Sequence, residues 1–84
     1  MKRMIYRFNL TNMTNKEVLR HLNAVLTVND GLLPSFSELA KELGLTRQAY
    51  HFHLTALTED GFISRPFPGT NSVRITKRGK KYLQ

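Results

Sequence analysis

The chain has 84 residues, 40% of them apolar and 10% aromatic, which suffices for one small domain with one core and leaves no room for a second. It contains no cysteine, which excludes disulfide scaffolds, thiol nucleophiles, iron–sulfur clusters and thiolate zinc sites, and fits a reducing cytoplasm. Thirteen Lys and Arg against six Asp and Glu give a net charge of +7, an excess that points to a polyanionic partner, with nucleic acid ahead of acidic lipid.

The charge is uneven. Residues 1–34 carry +3, residues 35–61 carry −2, and residues 62–84 carry +6 with no acid at all. Residues 1–13 form an arm or short strand, because Tyr6, Phe8 and Leu10 alternate with Arg7 and Asn9. Arg7 and Asn9 also interrupt any apolar run of signal-peptide or membrane-span length, so no membrane association and a cytoplasmic location are expected.

A first helix is expected from TNKE, in which Thr14 and Glu17 can satisfy each other's backbone N–H groups as a capping box. Val18, Leu19, Leu22, Val25 and Leu26 then repeat at spacings of three and four, and NDG at 29–31 supplies the stop. SFSE predicts a second box on Ser35 and Glu38, and a short helix follows over 36–43 with Leu39, Ala40 and Leu43 inward and Gly44 as its left-handed terminus. A third helix begins almost at once after Thr46. Its Tyr50, His53, Leu54 and Leu57 share one narrow arc, and Gly61 ends it. Two helices joined by so short a turn form a helix-turn-helix.

Beyond Gly61 the period changes to that of strands. FISRPF and SVRIT flank the turn residues PGTN, which predicts a β-hairpin, short and open near its tip because Pro66 and Pro68 donate no N–H. Residues 77–84 read as a basic tail or short helix that returns Tyr82 and Leu83 to the body. The fold expected over 14–76 is mainly α with a small hairpin: a winged helix-turn-helix of three helices and a two-stranded wing.

At residue level, GLLPSFSELAKELGL followed by TRQAYHFHLTALTEDGFISR and SVRIT resembles the DNA-binding domain of the LexA, or SOS repressor, family. The shared positions are Gly31, Pro34, Glu38-Leu39-Ala40, Leu43-Gly44, His53-Leu54, Leu57 and Gly61-Phe62-Ile63. ITKRG with Leu83 is similar instead to the tail of MarR-type winged helices. LexA proteins continue into a self-cleaving peptidase domain that dimerises them. The 84 residues contain no such segment, so neither self-cleavage nor DNA-damage sensing is implied.

The resemblance places base contacts at Thr46, Gln48, Ala49, His51 and Phe52. Their chemistry agrees in part: Gln48 can pair bidentately with adenine, His51 can meet a purine edge, and Ala49 and Phe52 suit a thymine methyl. Arg47, in the first turn, is matched to a phosphate or guanine. Arg65 and Arg74 on the wing, with Lys77, Arg78 and Lys80 at its exit, read together as phosphate clamps. Tyr50 stands where such helices usually carry a small or β-branched residue. If it is buried, its hydroxyl needs a partner.

His21, His51 and His53 have no metal-site spacing and no Cys to complete one, and there is neither a phosphate loop nor a nucleophile elbow. A non-enzymatic protein without metal, cofactor or small-molecule ligand is expected. The implied role is sequence-specific binding of double-stranded DNA by a small transcription repressor of bacterial, phage or plasmid origin. It is expected to act as a homodimer through the arm or the tail. A replication or excision module, or a winged helix that docks protein or RNA, are the alternatives.

Overall fold

A computed structural model describes residues 13–65 and 72–84. The alternating Tyr6, Phe8 and Leu10, and the hairpin tip with Pro66 and Pro68, lie outside the described residues. The elements run α1 (Asn15–Val28), α2 (Phe36–Glu42), α3 (Arg47–Glu59), β1 (Ile63–Ser64), β2 (Arg74–Ile75) and α4 (Lys77–Leu83). The expected three helices and wing are present, and the tail resolves as a fourth helix.

Each helix starts where a hydroxyl can replace a missing carbonyl. Thr14 and Glu17 form the full reciprocal box of α1, with Glu17 N–H to Thr14 Oγ1 at 3.2 Å and Thr14 N–H to Glu17 Oε1 at 2.9 Å. Ser35, Thr46 and Thr76 accept from the N–H groups of Glu38, Ala49 and Gly79. At Ser35 only this first half of the expected box forms, and the return bond from the Glu38 carboxylate seen at α1 has no counterpart.

The helices also end alike. Leu45 N–H reaches Ala40 C=O and Gly44 N–H reaches Lys41 C=O, a Schellman closure made possible by φ +72° at Gly44. Phe62 and Gly61 repeat it on Leu57 and Thr58 at the end of α3. After α1 two successive residues are left-handed, Asp30 with φ +55° and Gly31 with φ +86°, and Gly31 N–H bonds Leu26 C=O.

Val18, Leu19 and Leu22 of α1, Phe36, Leu39 and Ala40 of α2, Tyr50, Leu54 and Leu57 of α3, and Ile63 and Val73 of the wing make one buried core. Val25 and Leu43 lie at its margin. Phe36, expected only to open the second helix, is instead part of this core, its ring 6.0 Å from that of Tyr50. Tyr50 is fully buried, yet its hydroxyl has no partner among the described residues, contrary to the expectation that a buried Tyr would find one. Burial, with the Glu42 carboxylate adding to it, pushes its phenol well above the ordinary value.

The wing pairs antiparallel over only two residues per strand, Ile63 with Ile75 and Ser64 with Arg74. It is held at its base by the tail. Thr76 Oγ1 donates to Gly61 C=O at 2.7 Å and Arg78 Nε donates to Asp60 C=O at 2.8 Å, so residues of the tail satisfy carbonyls left over at the end of α3. Gly79 is buried because α4 crosses Phe62 so closely that a Cβ there would collide with the Phe62 carbonyl oxygen. Tyr82 stacks on Phe62 at 4.3 Å, and Leu83 packs against the core.

Candidate nucleic-acid interface

Burial of Tyr50, Leu54 and Leu57 fixes the rotation of α3 about its axis, and that rotation decides which side chains face out. Tyr50, Leu54 and Leu57 have no exposure, whereas Phe52 is 76% exposed. Arg47, Gln48 and Thr55 are also exposed, and Ala49 and His51 are partly so. Thr46, Gln48, Ala49 and Phe52 come together along one groove over the first two turns of α3, and Arg47 is exposed in the first turn. Thr46 already spends an oxygen lone pair on Ala49 N–H as the cap, but its O–H is still available as a donor.

His51 stands less free than the others. Its ring packs at right angles to that of Phe36 at 5.5 Å, so part of the imidazole is taken up by this contact and the residue is only partly exposed. His53 sits on the flank of α3 rather than in the core, with Nδ1 2.6 Å from Asn15 Oδ1. Partial burial lowers its pKa from the ordinary value. That bond ties the first turn of α1 to α3, and a shallow groove lined by Met13, Thr46, Gln48, Ala49, Phe52 and His53 runs between them. Neither Met13 nor Asn15 is marked by any periodic or motif signal, because their importance comes from a contact 38 residues away in the chain.

The predicted clamps divide. Arg74, Lys77 and Lys80 are exposed on β2 and α4. Arg65 leans back onto the Phe36 ring, 5.2 Å from its centroid, and Arg78 is held by Asp60 C=O and lies 5.1 Å over Phe62. Both have structural partners that the charge pattern could not reveal. The three His residues do not converge: His21 Nε2 bonds Glu42 Oε1 at 2.9 Å, His53 bonds Asn15, and His51 rests on Phe36. Among the described residues no group of three or more His, Cys, Asp or Glu could hold a metal ion, and no helix is long and apolar enough to cross a membrane.

Residues 34–64, from the turn before α2 to the end of β1, match the family described as winged helix-turn-helix DNA-binding. Together with the observed order of helices and hairpin, this defines the protein as a winged helix-turn-helix of the DNA-binding class. Within that class its sequence is similar to that of a LexA repressor. The LexA repressor of Thermosipho africanus (strain TCF52B) is 31% identical over 71 residues, which cover 82% of this chain and 35% of the relative. The chain thus spans about a third of the length of that curated protein. No solved structure matches it significantly.

Proposed function

We propose that this protein binds double-stranded DNA sequence-specifically, with α3 in the major groove and the wing on the backbone, and represses transcription in a bacterial or phage setting by occupying an operator. The carrying observation is the division of α3, with three side chains wholly in the core and Phe52 76% exposed beside Gln48. A ring left in water on a helix invites a cover, and a thymine methyl in the major groove is one of matching chemistry. Gln48 supplies hydrogen-bonding specificity, Arg47 meets phosphate or guanine, and Ala49, His51 and Thr46 complete the reading surface. Arg74, Lys77 and Lys80 neutralise phosphates, and Arg65 and Arg78 hold the wing and tail in place beside them.

One α3 reads only about half a turn of DNA, so a homodimer on two half-sites about 34–36 Å apart gives the affinity a repressor needs. The protein acts in the cytoplasm and by binding, with no chemistry of its own. Selection from a random duplex pool tests this: a motif with two-fold symmetry is expected, and that motif placed across a promoter should silence a reporter. Replacing Arg74, Lys77 and Lys80 together should weaken binding to all sequences alike and flatten the log–log salt slope by up to about three units. A pool without an enriched motif, bound with a flat salt slope, would refute DNA reading in favour of protein docking.

A further inference from the structure

Gln48 with Phe52, and Ala49 with His53, are two neighbouring rows of residues four apart on the surface of α3, so His53 stands beside Phe52 and one turn beyond Ala49. It is half-buried and lines the same groove as Met13, Thr46, Gln48, Ala49 and Phe52. Met13, Ala49 and Phe52 are apolar, and Thr46 is engaged through its oxygen as the helix cap. The side chains left to accept a hydrogen bond there are Gln48 and His53.

The contact with α1 decides what His53 can offer. Its Nδ1 lies 2.6 Å from Asn15 Oδ1, and an amide oxygen only accepts, so Nδ1 carries the hydrogen. A neutral imidazole has a single N–H, which leaves the lone pair on Nε2. Partial burial lowers the pKa of the ring and keeps it neutral at pH 7. With Nδ1 turned to α1, Nε2 lies across the ring. It is not among the buried unpaired atoms, and it has no hydrogen bond within the described residues. Asn15 thus holds the imidazole in one tautomer and one orientation before any ligand arrives.

We propose that His53 is a specificity-determining residue whose Nε2 accepts a hydrogen bond from the exocyclic amine of one base, adenine N6 or cytosine N4, in the major groove, and that Asn15 is the positioning residue that fixes its tautomer. The proposal rests on the reading of α3 as the DNA-reading helix. Guanine presents only acceptors on its major-groove edge, and thymine an acceptor and a methyl, so an acceptor-only nitrogen rejects both.

The test takes the full wild-type chain and the selected duplex and removes one exocyclic amine at a time from the α3 half-site, with purine in place of adenine and 2-pyrimidinone in place of cytosine. Affinities are read by fluorescence anisotropy. At one position the deletion should weaken wild-type binding by about three- to tenfold, the range of one hydrogen bond. His53→Ala should weaken binding to the natural duplex by a similar factor and be indifferent to the deletion at that position. Gln48→Ala should keep the sensitivity there, which separates it from an adenine read by Gln48. Asn15→Ala should reduce the sensitivity at that position alone, because both tautomers become accessible.

Wild-type protein with no amine-sensitive position beyond those that Gln48→Ala abolishes overturns the proposal. Gln48 is exposed, so this comparison does not depend on whether His53→Ala folds. A His53→Ala protein that binds more weakly yet keeps the full sensitivity also overturns it and makes His53 a structural residue. Undiminished sensitivity in Asn15→Ala overturns the positioning role of Asn15. Wild-type protein that binds no duplex overturns the reading of α3 and this proposal with it.

Discussion

Phe52→Ala separates stability from reading on one residue. With 76% of the residue exposed, about a quarter of the ~200 Å² of a phenylalanine is buried, so truncation forfeits ~50 Å², or about 1 kcal/mol at ~25 cal/mol per Å². Alanine returns up to ~0.7 kcal/mol in helix propensity, which brings the net change close to zero. Phe36, 7% exposed and in contact with Tyr50 and His51, is the internal comparison, and Phe36→Ala should cost about 3–5 kcal/mol. Urea denaturation of both variants measures this. On DNA the order reverses: wild-type protein should prefer thymine over uracil at one position by about fourfold, the worth of one buried methyl at ~0.8 kcal/mol, and Phe52→Ala should lose that preference. A large loss of stability in Phe52→Ala with the thymine preference intact would show that the rotation of α3 is not the one described.

Tyr50→Phe removes a buried hydroxyl that has no partner among the described residues, and it should be neutral or stabilising by about 1 kcal/mol in thermal melts. Because burial holds the Tyr50 phenol protonated in the folded state while the unfolded chain ionises near pH ~10, wild-type stability should fall as pH rises above ~10, and less so in Tyr50→Phe. His53 behaves oppositely: its pKa is lowered on folding, so the unfolded chain takes up the proton first and stability should decline as pH drops below ~6.5, a decline that His53→Gln should reduce in urea titrations at pH 7 and pH 5. Gly79→Ala should cost at least about 1–3 kcal/mol and loosen the tail, seen as faster amide exchange in α4, because the Phe62 carbonyl occupies the space of the new methyl.

The helix starts and stops were legible because they are local. Thr14, Ser35 and Thr46 each sit three residues before the N–H they accept from, and Gly44 and Gly61 need only their own φ. The rotation of α3 was legible for the same reason, from the spacing of Tyr50, Leu54 and Leu57. What stayed hidden is what depends on residues far apart in the chain. Phe36 is the first residue of α2 and joins the core because Tyr50 and His51 meet it across the turn. His53 falls on the core-side arc by periodicity, yet Asn15 draws it to the flank. The hairpin was expected to be short, and among the described residues its ladder pairs only Ile63 with Ile75 and Ser64 with Arg74.

The same distinction governs how the positive charge should be interpreted. A count of +7 treats every cation as a free ligand for phosphate, but among the described residues three lie over aromatic rings: Arg65 over Phe36, Arg78 over Phe62, and Lys16 over Tyr82 at 5.0 Å. Phe62 and Tyr82 are themselves stacked, so Lys16 of α1 and Arg78 of α4 cap the two rings of one pile and help hold the tail against the wing and the first helix. Each such contact is worth roughly 0.5–1 kcal/mol at an exposed site, comparable to the gain from a surface ion pair, so these cations have little to gain by leaving for a phosphate. Arg74, Lys77 and Lys80 have no such ring partner among the described residues and stand exposed on the same wing and tail. The charge thus divides by position: Arg65, Arg78 and Lys16 lie against aromatic rings, whereas Arg74, Lys77 and Lys80 face water, as the proposed phosphate contacts require.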